Sequence, residues 1–487
     1  MARLRTVQRS LRSTFGLERL RPGQGEVIRA VLDGRDVLAI MPTGAGKSLC
    51  YQLPALHLPG TTVIVSPLIA LMKDQVDKLR ELGLEAVEVN STLTGRAEAA
   101  VIEGIEGERS EFVFTTPERL ADPEFVEMLR QTAIDFIVVD EAHCISQWGH
   151  DFRPSYLALR ESIRTLGDPA VLALTATATD EVVDDIRHQL GRPDMEVINT
   201  GIYRPNLAFQ VRHLSGDAEK QAELLELLRD LPGPAIVYTA TVRHVDTLAP
   251  MLQGEGIEAL PYHGRMAKAR RSEAQERFMG GELPVIVATN AFGLGIDKPD
   301  IRAVVHYDMP GSVEAYYQEA GRAGRDGAPA RCGLLYDRKD RRTQLFFMGG
   351  KYPSLEDVRS VLAALGGSEG EPLSLARLTE ESRGVGRDRI RVILALLKEG
   401  KLVRERRGAR FVRVRDAAPD ELTRLTQSWR DRAESDRVKL DRLEGYARTA
   451  RCRWRYLHDY FGEEFPGRLC GTCDNCVKGL AARADGD

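Results

Sequence analysis

The sequence contains few cysteines and no long apolar segment. Its 7 cysteines in 487 residues are an odd number, too sparse for the disulfide framework of a secreted protein. No uninterrupted apolar run approaches the ~18 residues that a membrane span requires. The N-terminal stretch MARLRTVQRSLRS lacks the apolar core of a signal peptide. We therefore expect a protein of the reducing cytoplasm that has no membrane partner.

A large excess of either charge is also absent, since 68 Lys and Arg face 72 Asp and Glu, a formal net charge of −4. Between Arg383 and Arg415, however, twelve basic residues accompany three acidic ones, a local charge of +9. One basic module in a mildly acidic chain is typical of a protein that binds phosphates locally. Hydrophobic residues make up 43% of the chain, which is enough to form buried hydrophobic cores. The length predicts about three domains.

Short β-branched and aromatic runs recur through the first two-thirds of the chain, and each is followed by an amphipathic stretch. Strands that are apolar on both faces and alternate with helices predict a parallel sheet covered on both sides. Because the pattern restarts after a turn at residues 203–206, we expect two consecutive α/β lobes with a cleft between them. The predicted strands are residues 37–40, 62–65, 112–115, 136–139, 171–174, 235–238, 285–288, 303–306 and 333–336.

The stretch from residue 355 to residue 415 follows a different pattern. Three short helices, the second of which Ser374 can cap, precede two strand-like segments. This is the order of a winged helix, and a long charged helix is expected to follow. The predicted helices are residues 355–365, 374–382, 387–399 and 419–448, and the predicted strands are residues 402–406 and 410–415.

A glycine-rich loop at residues 41–48 follows the first predicted strand and precedes a helix. Its glycines let backbone amides approach phosphates, Lys47 adds positive charge, and Ser48 can bind Mg²⁺. Met41 replaces the first glycine of the strict pattern, and a chance glycine-rich turn is the alternative. The strand–loop–helix context favours a phosphate-binding loop. The expected nucleotide-binding residues here are Thr43, Gly44, Ala45, Gly46, Lys47 and Ser48.

An acidic pair begins the sequence Asp140-Glu-Ala-His143, directly after the apolar strand at residues 136–139. A carboxylate at the carboxyl end of such a strand faces the ligand crevice of a parallel sheet. Asp140 fits the Mg²⁺ shell, and Glu141 fits polarisation of an attacking water. An acidic pair alone usually marks only a turn, but its combination with a phosphate loop predicts nucleotide hydrolysis.

Four of the cysteines lie close together near the end of the chain. Cys470, Cys473 and Cys476 have two successive C-x₂-C spacings, and Cys452 upstream can complete a tetrahedral zinc site. An iron–sulphur cluster is the alternative, because C-x₂-C-x₂-C also begins ferredoxin-type sites. The remaining cysteines, which are Cys50, Cys144 and Cys332, are interpreted as buried or bystander thiols.

Further motifs occur in order between residues 15 and 340. They are Phe15-Gly16 with Arg21-Pro-Gly-Gln24, Ser66-Pro-Leu68, Thr116-Pro-Glu118, Thr175-Ala-Thr177, Ala291-Phe-Gly-Leu-Gly-Ile-Asp297 and Gln318-Glu-Ala-Gly-Arg-Ala-Gly-Arg325. The acidic motif continues into Cys144-Ile-Ser-Gln-Trp148-Gly-His-Asp-Phe152-Arg-Pro154. This ordered set resembles the motifs of superfamily 2 helicases of the RecQ family, whose aromatic-rich loop follows the sequence DEAH.

The resemblance implies an ATP-dependent DNA helicase with two RecA-like lobes that moves 3′→5′ on single strands and acts in DNA repair or recombination. It implies that Gln24, with Arg21, reads adenine, since a Gln amide matches the N6 and N7 edge. Arg325 matches the family's arginine finger, with Arg322 as a second candidate. Gly295 and Asp297 are expected at the nucleotide, whereas Leu17 stands where the family usually has an aromatic residue that stacks on adenine.

The resemblance also suggests DNA contacts. The aromatic-rich loop suits the sensing of stacked bases, although aromatic residues in isolation more often belong to a core. In the winged-helix-like segment, arginines can bind duplex phosphates, with a solvated basic face as the alternative. The expected DNA-contacting or coupling residues are Ser66, Thr116, Gln147, Trp148, Phe152, Arg153, Arg387, Arg389, Arg406 and Arg407.

Two features depart from the family pattern. The winged-helix-like segment precedes the cysteines, whereas in most RecQ helicases it follows them. Only eleven residues follow Cys476, so we expect the additional C-terminal DNA-binding domain to be absent. The wing tip at residues 406–409 has no aromatic residue, so we expect a basic wing that binds phosphates rather than a strand-separating pin. The expected domains are lobe 1 (1–202), lobe 2 (203–350), a winged-helix-like module (351–418), a helical zinc module (419–480) and a tail (481–487).

Three hypotheses about the function remain at this point. We expect a DNA helicase with ATP, Mg²⁺ and Zn²⁺ that binds single-stranded and forked or duplex DNA, associated with the nucleoid if the protein is bacterial. The first alternative is an RNA helicase of the same superfamily. The second is a DNA-binding or annealing protein that uses ATP only as a switch. Protein partners are not indicated by the sequence.

Overall fold

The structure is a computed structural model that describes the whole chain except residues 1, 91–110, 147, 150, 152, 230, 294–295, 368–369, 383, 407–409, 419 and 485–487. The chain divides into two units. The first comprises Met1–Asp308, Val313–Tyr336 and Tyr446–Asp487, and the second comprises Met309–Ser312 and Asp337–Gly445. No helix in the described ranges has the length and apolar character needed to cross a membrane.

The first sheet of the first unit has seven parallel strands in the order β3-β4-β2-β5-β6-β1-β7. Successive residues fill opposite faces, since Leu38 and Val63 belong to one buried cluster and Val37 and Ile64 to another. The strands are β1 (Val37–Ile40), β2 (Thr61–Val65), β3 (Ala86–Val89), β4 (Phe112–Thr115), β5 (Ile134–Val139), β6 (Ala170–Thr175) and β7 (Glu196–Asn199).

Eight α-helices of the described residues accompany this sheet. They are α1 (Ala2–Ser13), α2 (Gln24–Leu32), α3 (Leu49–Ala55), α4 (Ile69–Glu81), α5 (Pro117–Leu120), α6 (Pro123–Leu129), α7 (Leu159–Thr165) and α8 (Asp180–Leu190). Two short 3₁₀ helices, Ala142–Ile145 and Pro154–Ala158, follow β5. The prediction of a doubly covered parallel sheet is confirmed.

The second sheet has six parallel strands in the order β10-β11-β9-β12-β13-β8. Its strands are β8 (Leu207–His213), β9 (Ala235–Tyr238), β10 (Ala259–Tyr262), β11 (Val285–Ala288), β12 (Ala303–His306) and β13 (Ala330–Tyr336). Its helices are α9 (Gly216–Arg229), α10 (Val242–Gly254), α11 (Lys268–Met279) and α12 (Val313–Ala320). The second predicted lobe is therefore confirmed as well.

Four strands of these two sheets were not predicted, namely β3, β7, β8 and β10, and they lie at the four edges of the two sheets. The residues of β8 alternate between buried and partly exposed, whereas every residue of β1 is buried. A search for continuous apolar runs finds the inner strands and overlooks such edges.

The second unit has the predicted order of helices and strands. Ser374 Oγ accepts a hydrogen bond from Arg377 N at 3.3 Å and caps the second of the three short helices, as predicted. A two-residue strand, β14, was not predicted and completes a three-stranded antiparallel sheet in the order β14-β16-β15. The elements are α13 (Asp340–Lys351), α14 (Leu355–Gly367), β14 (Leu373–Ser374), α15 (Leu375–Glu381), α16 (Arg387–Glu399), β15 (Val403–Arg406), β16 (Arg410–Arg413) and α17 (Glu421–Arg448).

The last part of the first unit contains α18 (Arg453–Tyr460), α19 (Asp474–Val477) and α20 (Leu480–Ala484). It packs against the edge strand β8. Trp454 Nε1 donates to Leu207 O at 3.2 Å, and Asp474 Oδ2 accepts from Val211 N at 3.0 Å. These side chains satisfy backbone groups that the edge of a sheet would otherwise leave to solvent.

Candidate functional site

The glycine-rich loop connects β1 to α3, as predicted. Gly44 and Gly46 have φ angles of 85° and 81°, in the left-handed region that glycine adopts without strain. A Cβ atom on Gly46 would lie 2.6 Å from Gln24 Nε2. The loop conformation therefore depends on these glycines, and Lys47 and Ser48 follow them into a cavity of about 390 Å³.

Gln24 and Arg21 are bound to this loop. Gln24 Nε2 donates to Ala45 O at 3.1 Å and to Gly46 O at 2.9 Å, and its Oε1 accepts from Arg21 N at 2.8 Å. The Arg21 guanidinium donates to Gly44 O. The amide predicted to read adenine thus supports the loop here, and adenine recognition stays a prediction. Leu17, with 43% of its surface exposed, lines the same cavity.

The acidic pair begins directly after β5 and lines the cavity together with Lys47. Burial and the charge of Glu141 raise the pKa of Asp140 to about 7, and the positive charge of Lys47 acts in the opposite direction. A divalent cation would stabilise the ionised carboxylate, and Ser48 lines the same cavity. Oxygen donors of this kind fit Mg²⁺.

Glu141 has a φ angle of 48°, which is uncommon for a residue other than glycine. Its Oε2 accepts no hydrogen bond from the described residues, and the nearest basic atom, His143 Nδ1, is 3.4 Å away. His143 Nδ1 is also 3.1 Å from Thr175 Oγ1, which donates to Thr177 O at 3.0 Å. A buried chain of contacts therefore joins the acidic motif to the Thr175-Ala-Thr177 motif.

Two arginines from the second lobe face the same cavity. Arg325 Nη1 is 2.8 Å from Asp297 Oδ1, and Lys78 Nζ is 3.3 Å from Asp297 Oδ2. Burial alone would raise the pKa of Asp297, but Arg325 and Lys78 hold that pKa below its ordinary value. Arg322 is buried and lines the cavity beside them. Gly295 lies outside the described residues.

Sequence reasoning missed Lys78, because a lysine on the charged helix α4 has no motif around it. Arg325 also lies close to the phosphate loop, since a Cβ atom on Gly44 would lie 3.1 Å from Arg325 Cγ. The cavity therefore combines a phosphate loop and an acidic pair from one lobe with arginines from the other.

The residues predicted to contact DNA occupy varied environments. Ser66 and Thr116 are buried at the carboxyl ends of β2 and β4, and Thr116 Oγ1 caps α5 by accepting from Arg119 N at 3.3 Å. Trp148 is 40% exposed, which does not fit a core aromatic residue. Arg153 Nη1 donates to Pro67 O at 3.1 Å, so it joins the aromatic-rich loop to the Ser66 motif. Gln147 and Phe152 lie outside the described residues.

The basic module of the second unit is partly neutralised. Arg389 lies 3.3 Å from Asp357 Oδ2 and donates to Gly349 O at 2.5 Å, so its guanidinium supports the fold. Arg387 and Arg406 are exposed, and Arg407 lies outside the described residues. Other cations are ion-paired, namely Lys398 with Glu405, Arg413 with Asp416 and Arg415 with Glu421. Of the four acids that pair with these cations, Asp357, Asp416 and Glu421 lie outside residues 383–415, the stretch that has the local charge of +9.

The four clustered cysteines converge on one point. Their sulphur atoms all lie within 4.8 Å of one another, and Cys470 Sγ is 3.8 Å from Cys476 Sγ. Sulphurs bound tetrahedrally to one Zn²⁺, with bonds of about 2.3 Å, are separated by about the Cys470–Cys476 distance. Backbone amides donate to the sulphurs, from Cys473 N to Cys470 Sγ at 3.3 Å and from Arg453 N to Cys473 Sγ at 3.5 Å. The donor set therefore fits zinc, and the other three cysteines are buried free thiols, as predicted.

Comparisons with known proteins agree with this geometry. Residues 21–186 match the DEAD/DEAH box helicase family, residues 219–327 the helicase conserved C-terminal domain, and residues 415–477 the RecQ zinc-binding family. The last match favours zinc over an iron–sulphur cluster. The fold is also similar to that of a Mycobacterium smegmatis helicase Lhr bound to ssDNA and AMP-PNP, with a TM-score of 0.56 and 20% identity, over 85% of this chain and 60% of that one.

Two Bacillus subtilis relatives are similar over most of their length. The ATP-dependent DNA helicase RecQ is 46% identical over 481 residues, which are 98% of this chain and 68% of that protein. The probable ATP-dependent DNA helicase RecS is 39% identical over 397 residues, which are 81% of this chain and 80% of that protein. On this evidence the chain belongs to the RecQ family of ATP-dependent DNA helicases and carries the family's zinc-binding cysteine module.

Proposed function

We propose that the protein couples ATP hydrolysis between its two lobes to 3′→5′ movement along single-stranded DNA and to the unwinding of tailed or forked duplexes. The observation that carries the proposal is the shared cavity, in which Lys47, Glu141 and Arg325 line one space. Its volume of about 390 Å³ lies within the range of small-ligand sites. The 3′→5′ direction of movement and the choice of DNA as the nucleic acid are inferred from membership of the family.

In this proposal each residue of the cavity has its own chemical role. Lys47 binds the outer phosphates, and Ser48 and Asp140 would hold Mg²⁺, which neutralises charge on the phosphates. The free Oε2 of Glu141 is placed to accept a hydrogen bond from the attacking water. Arg325 supplies positive charge to the transferring phosphoryl group from the opposite lobe. Arg322 lies beside it as a second candidate.

We further propose that residues 1–202 and 203–350 act as the moving lobes, that residues 351–418 bind duplex DNA, and that residues 419–480 are stabilised by zinc. The exposed Trp148 supports a role of the aromatic-rich loop in signalling bound DNA to the ATP site. Arg153 supports the same role because it holds this loop to the Ser66 motif.

The test measures ATP turnover and unwinding on forked, 3′-tailed and 5′-tailed duplexes, with single-stranded DNA and RNA as stimulators. We expect DNA-stimulated turnover and unwinding of forked and 3′-tailed substrates. Preference for a 5′ tail would contradict the polarity, and stronger stimulation by RNA would favour the RNA-helicase alternative. ATP binding without steady turnover would favour an ATP-switched annealing protein. The Lys47→Ala variant is the control for contaminating ATPase.

A further inference from the structure

An arginine in the connection between the lobes binds both sides of the ATP cavity. Arg204 follows β7 and precedes β8, and its guanidinium donates to four backbone carbonyls. Nη1 reaches Gly321 O at 2.7 Å and Thr43 O at 3.3 Å. Nη2 reaches Ala323 O at 2.7 Å and Gly324 O at 2.5 Å. Thr43 belongs to the phosphate loop, and the other three carbonyls belong to the turn that carries both candidate catalytic arginines.

The position of this turn explains why a cation binds there. Residues 321–324 follow the C-terminal end of α12, where carbonyl groups lack helical partners and attract positive charge. The planar guanidinium satisfies several of them at once, which a lysine ammonium does with less directional control. Asn206 Nδ2 adds hydrogen bonds to Gly324 O at 2.8 Å and Ala328 O at 2.9 Å.

The connection is fixed from its other side by the cysteine-containing part of the unit. Glu463 accepts hydrogen bonds from Ile202 N at 2.9 Å and from Asn199 Nδ2 at 3.1 Å. The ring of Tyr203 packs edge-on against Trp454, with centroids 5.1 Å apart. These contacts hold the backbone just before Arg204, and the hydrogen bond from Trp454 Nε1 to Leu207 O at 3.2 Å holds it three residues later. Little backbone freedom therefore remains to be lost when the guanidinium binds.

We infer that Arg204 is a positioning residue for ATP hydrolysis, which holds the turn carrying Arg322 and Arg325 against the phosphate loop. The inference rests on the proposed role of Arg325 as arginine finger. Arg204 itself binds backbone carbonyls, so it acts through the placement of the turn. A displaced turn would leave Arg325 away from the developing charge, where its contribution falls steeply with distance.

The experiment is a double-mutant cycle of Arg204→Ala and Arg325→Ala, with ATP turnover, KM, ADP affinity and melting temperature as readouts. We expect Arg204→Ala to lower kcat by about 10²-fold while KM and ADP affinity change little. In the Arg325→Ala background the same substitution should cost less than about 2-fold, because the group on which it acts is gone. Arg204→Lys should recover part of kcat, and it replaces the Ala variant if that protein does not fold.

Arg302→Ala is the matched control. The Arg302 guanidinium binds groups just beyond this turn, through Asp326 and through Pro329 O at 3.4 Å, and it donates to Asp300 O at 2.8 Å, so that none of these partners belongs to the phosphate loop. It should lower the melting temperature without lowering kcat. Equal losses of kcat from Arg302→Ala and Arg204→Ala, or additive losses in the cycle, would overturn the inference. A normal kcat for Arg325→Ala alone would instead overturn the proposed arginine finger.

Discussion

The ATP cavity of the first unit and the basic module of the second unit use charge in different ways. In the cavity, Asp140 has a raised pKa and Arg325 is largely buried against Asp297, so each charge depends on its neighbours. In the module, Arg387 and Arg406 are exposed, and several other cations are paired with surface acids. Buried charges interact strongly, whereas exposed ones are screened by water and salt. Substitutions should therefore change rates in the cavity and shift salt-dependent affinity in the module.

The largest expected effect is loss of turnover from the cavity. Glu141→Gln should abolish ATP turnover, by roughly 10³-fold or more, and leave ATP bound, because an amide still fills the site but cannot accept the proton of the attacking water. Lys47→Ala should also abolish turnover but through weakened nucleotide binding. Turnover assays and equilibrium binding of a fluorescent ATP analogue separate the two variants. Near-normal turnover of Glu141→Gln would show that the DEAH carboxylate is not the hydrolytic group.

The second prediction compares the cysteine module with the cavity. Cys473→Ser should reduce bound zinc below one ion per chain and lower the melting temperature, because a structural zinc ion supplies folding energy. Elemental analysis and thermal unfolding measure both effects. Cys332→Ser is the control, since Cys332 is a buried thiol that does not belong to the cluster, and the variant should retain the zinc. Iron in a brown protein would contradict the zinc assignment.

The third prediction concerns coupling between DNA and the cavity. Trp148→Ala should retain basal ATPase activity and DNA affinity but lose both DNA stimulation and unwinding, because an indole with 40% of its surface exposed can stack on bases. Trp148→Phe keeps an aromatic face and should retain part of the stimulation. A large fall in the melting temperature of Trp148→Ala would point to a packing role instead.

Sequence patterns predicted the inner strands and the motif-bearing loops, and the physical reason is visible in particular residues. Every position of β1 is buried, so its apolar run is continuous, and the loop after it needs glycine at positive φ. The edge strand β10 is buried at only one of its four positions, so no apolar run marks it. The apolar pattern in the sequence is therefore less continuous in a strand at the edge of a sheet than in an inner strand.

Contacts between distant parts of the chain leave no local pattern in the sequence. Arg204 and Lys78 have no motif around them, and their partners Gly321 and Asp297 lie more than a hundred residues away. Likewise, a charge count over one stretch of sequence could not include Glu421, which neutralises Arg415. Local sequence patterns identify sites that one loop forms from its own backbone. Partners that lie far apart in the sequence are identified only from the three-dimensional structure.

The smallest expected effect belongs to the exposed cations of the basic module. Replacing Arg387, Arg406 and Arg410 with Ala should weaken forked-DNA binding almost independently of sequence. It should reduce the slope of log affinity against log salt by nearly one unit per lost phosphate contact, because each contact releases about one counterion. Arg415→Ala is the matched control, since its guanidinium is paired with Glu421 at 2.6 Å, and the slope should not change. ATPase activity stimulated by single-stranded DNA should survive both changes, because it depends on the lobes. An unchanged slope in the triple variant would mean that these arginines do not bind DNA phosphates.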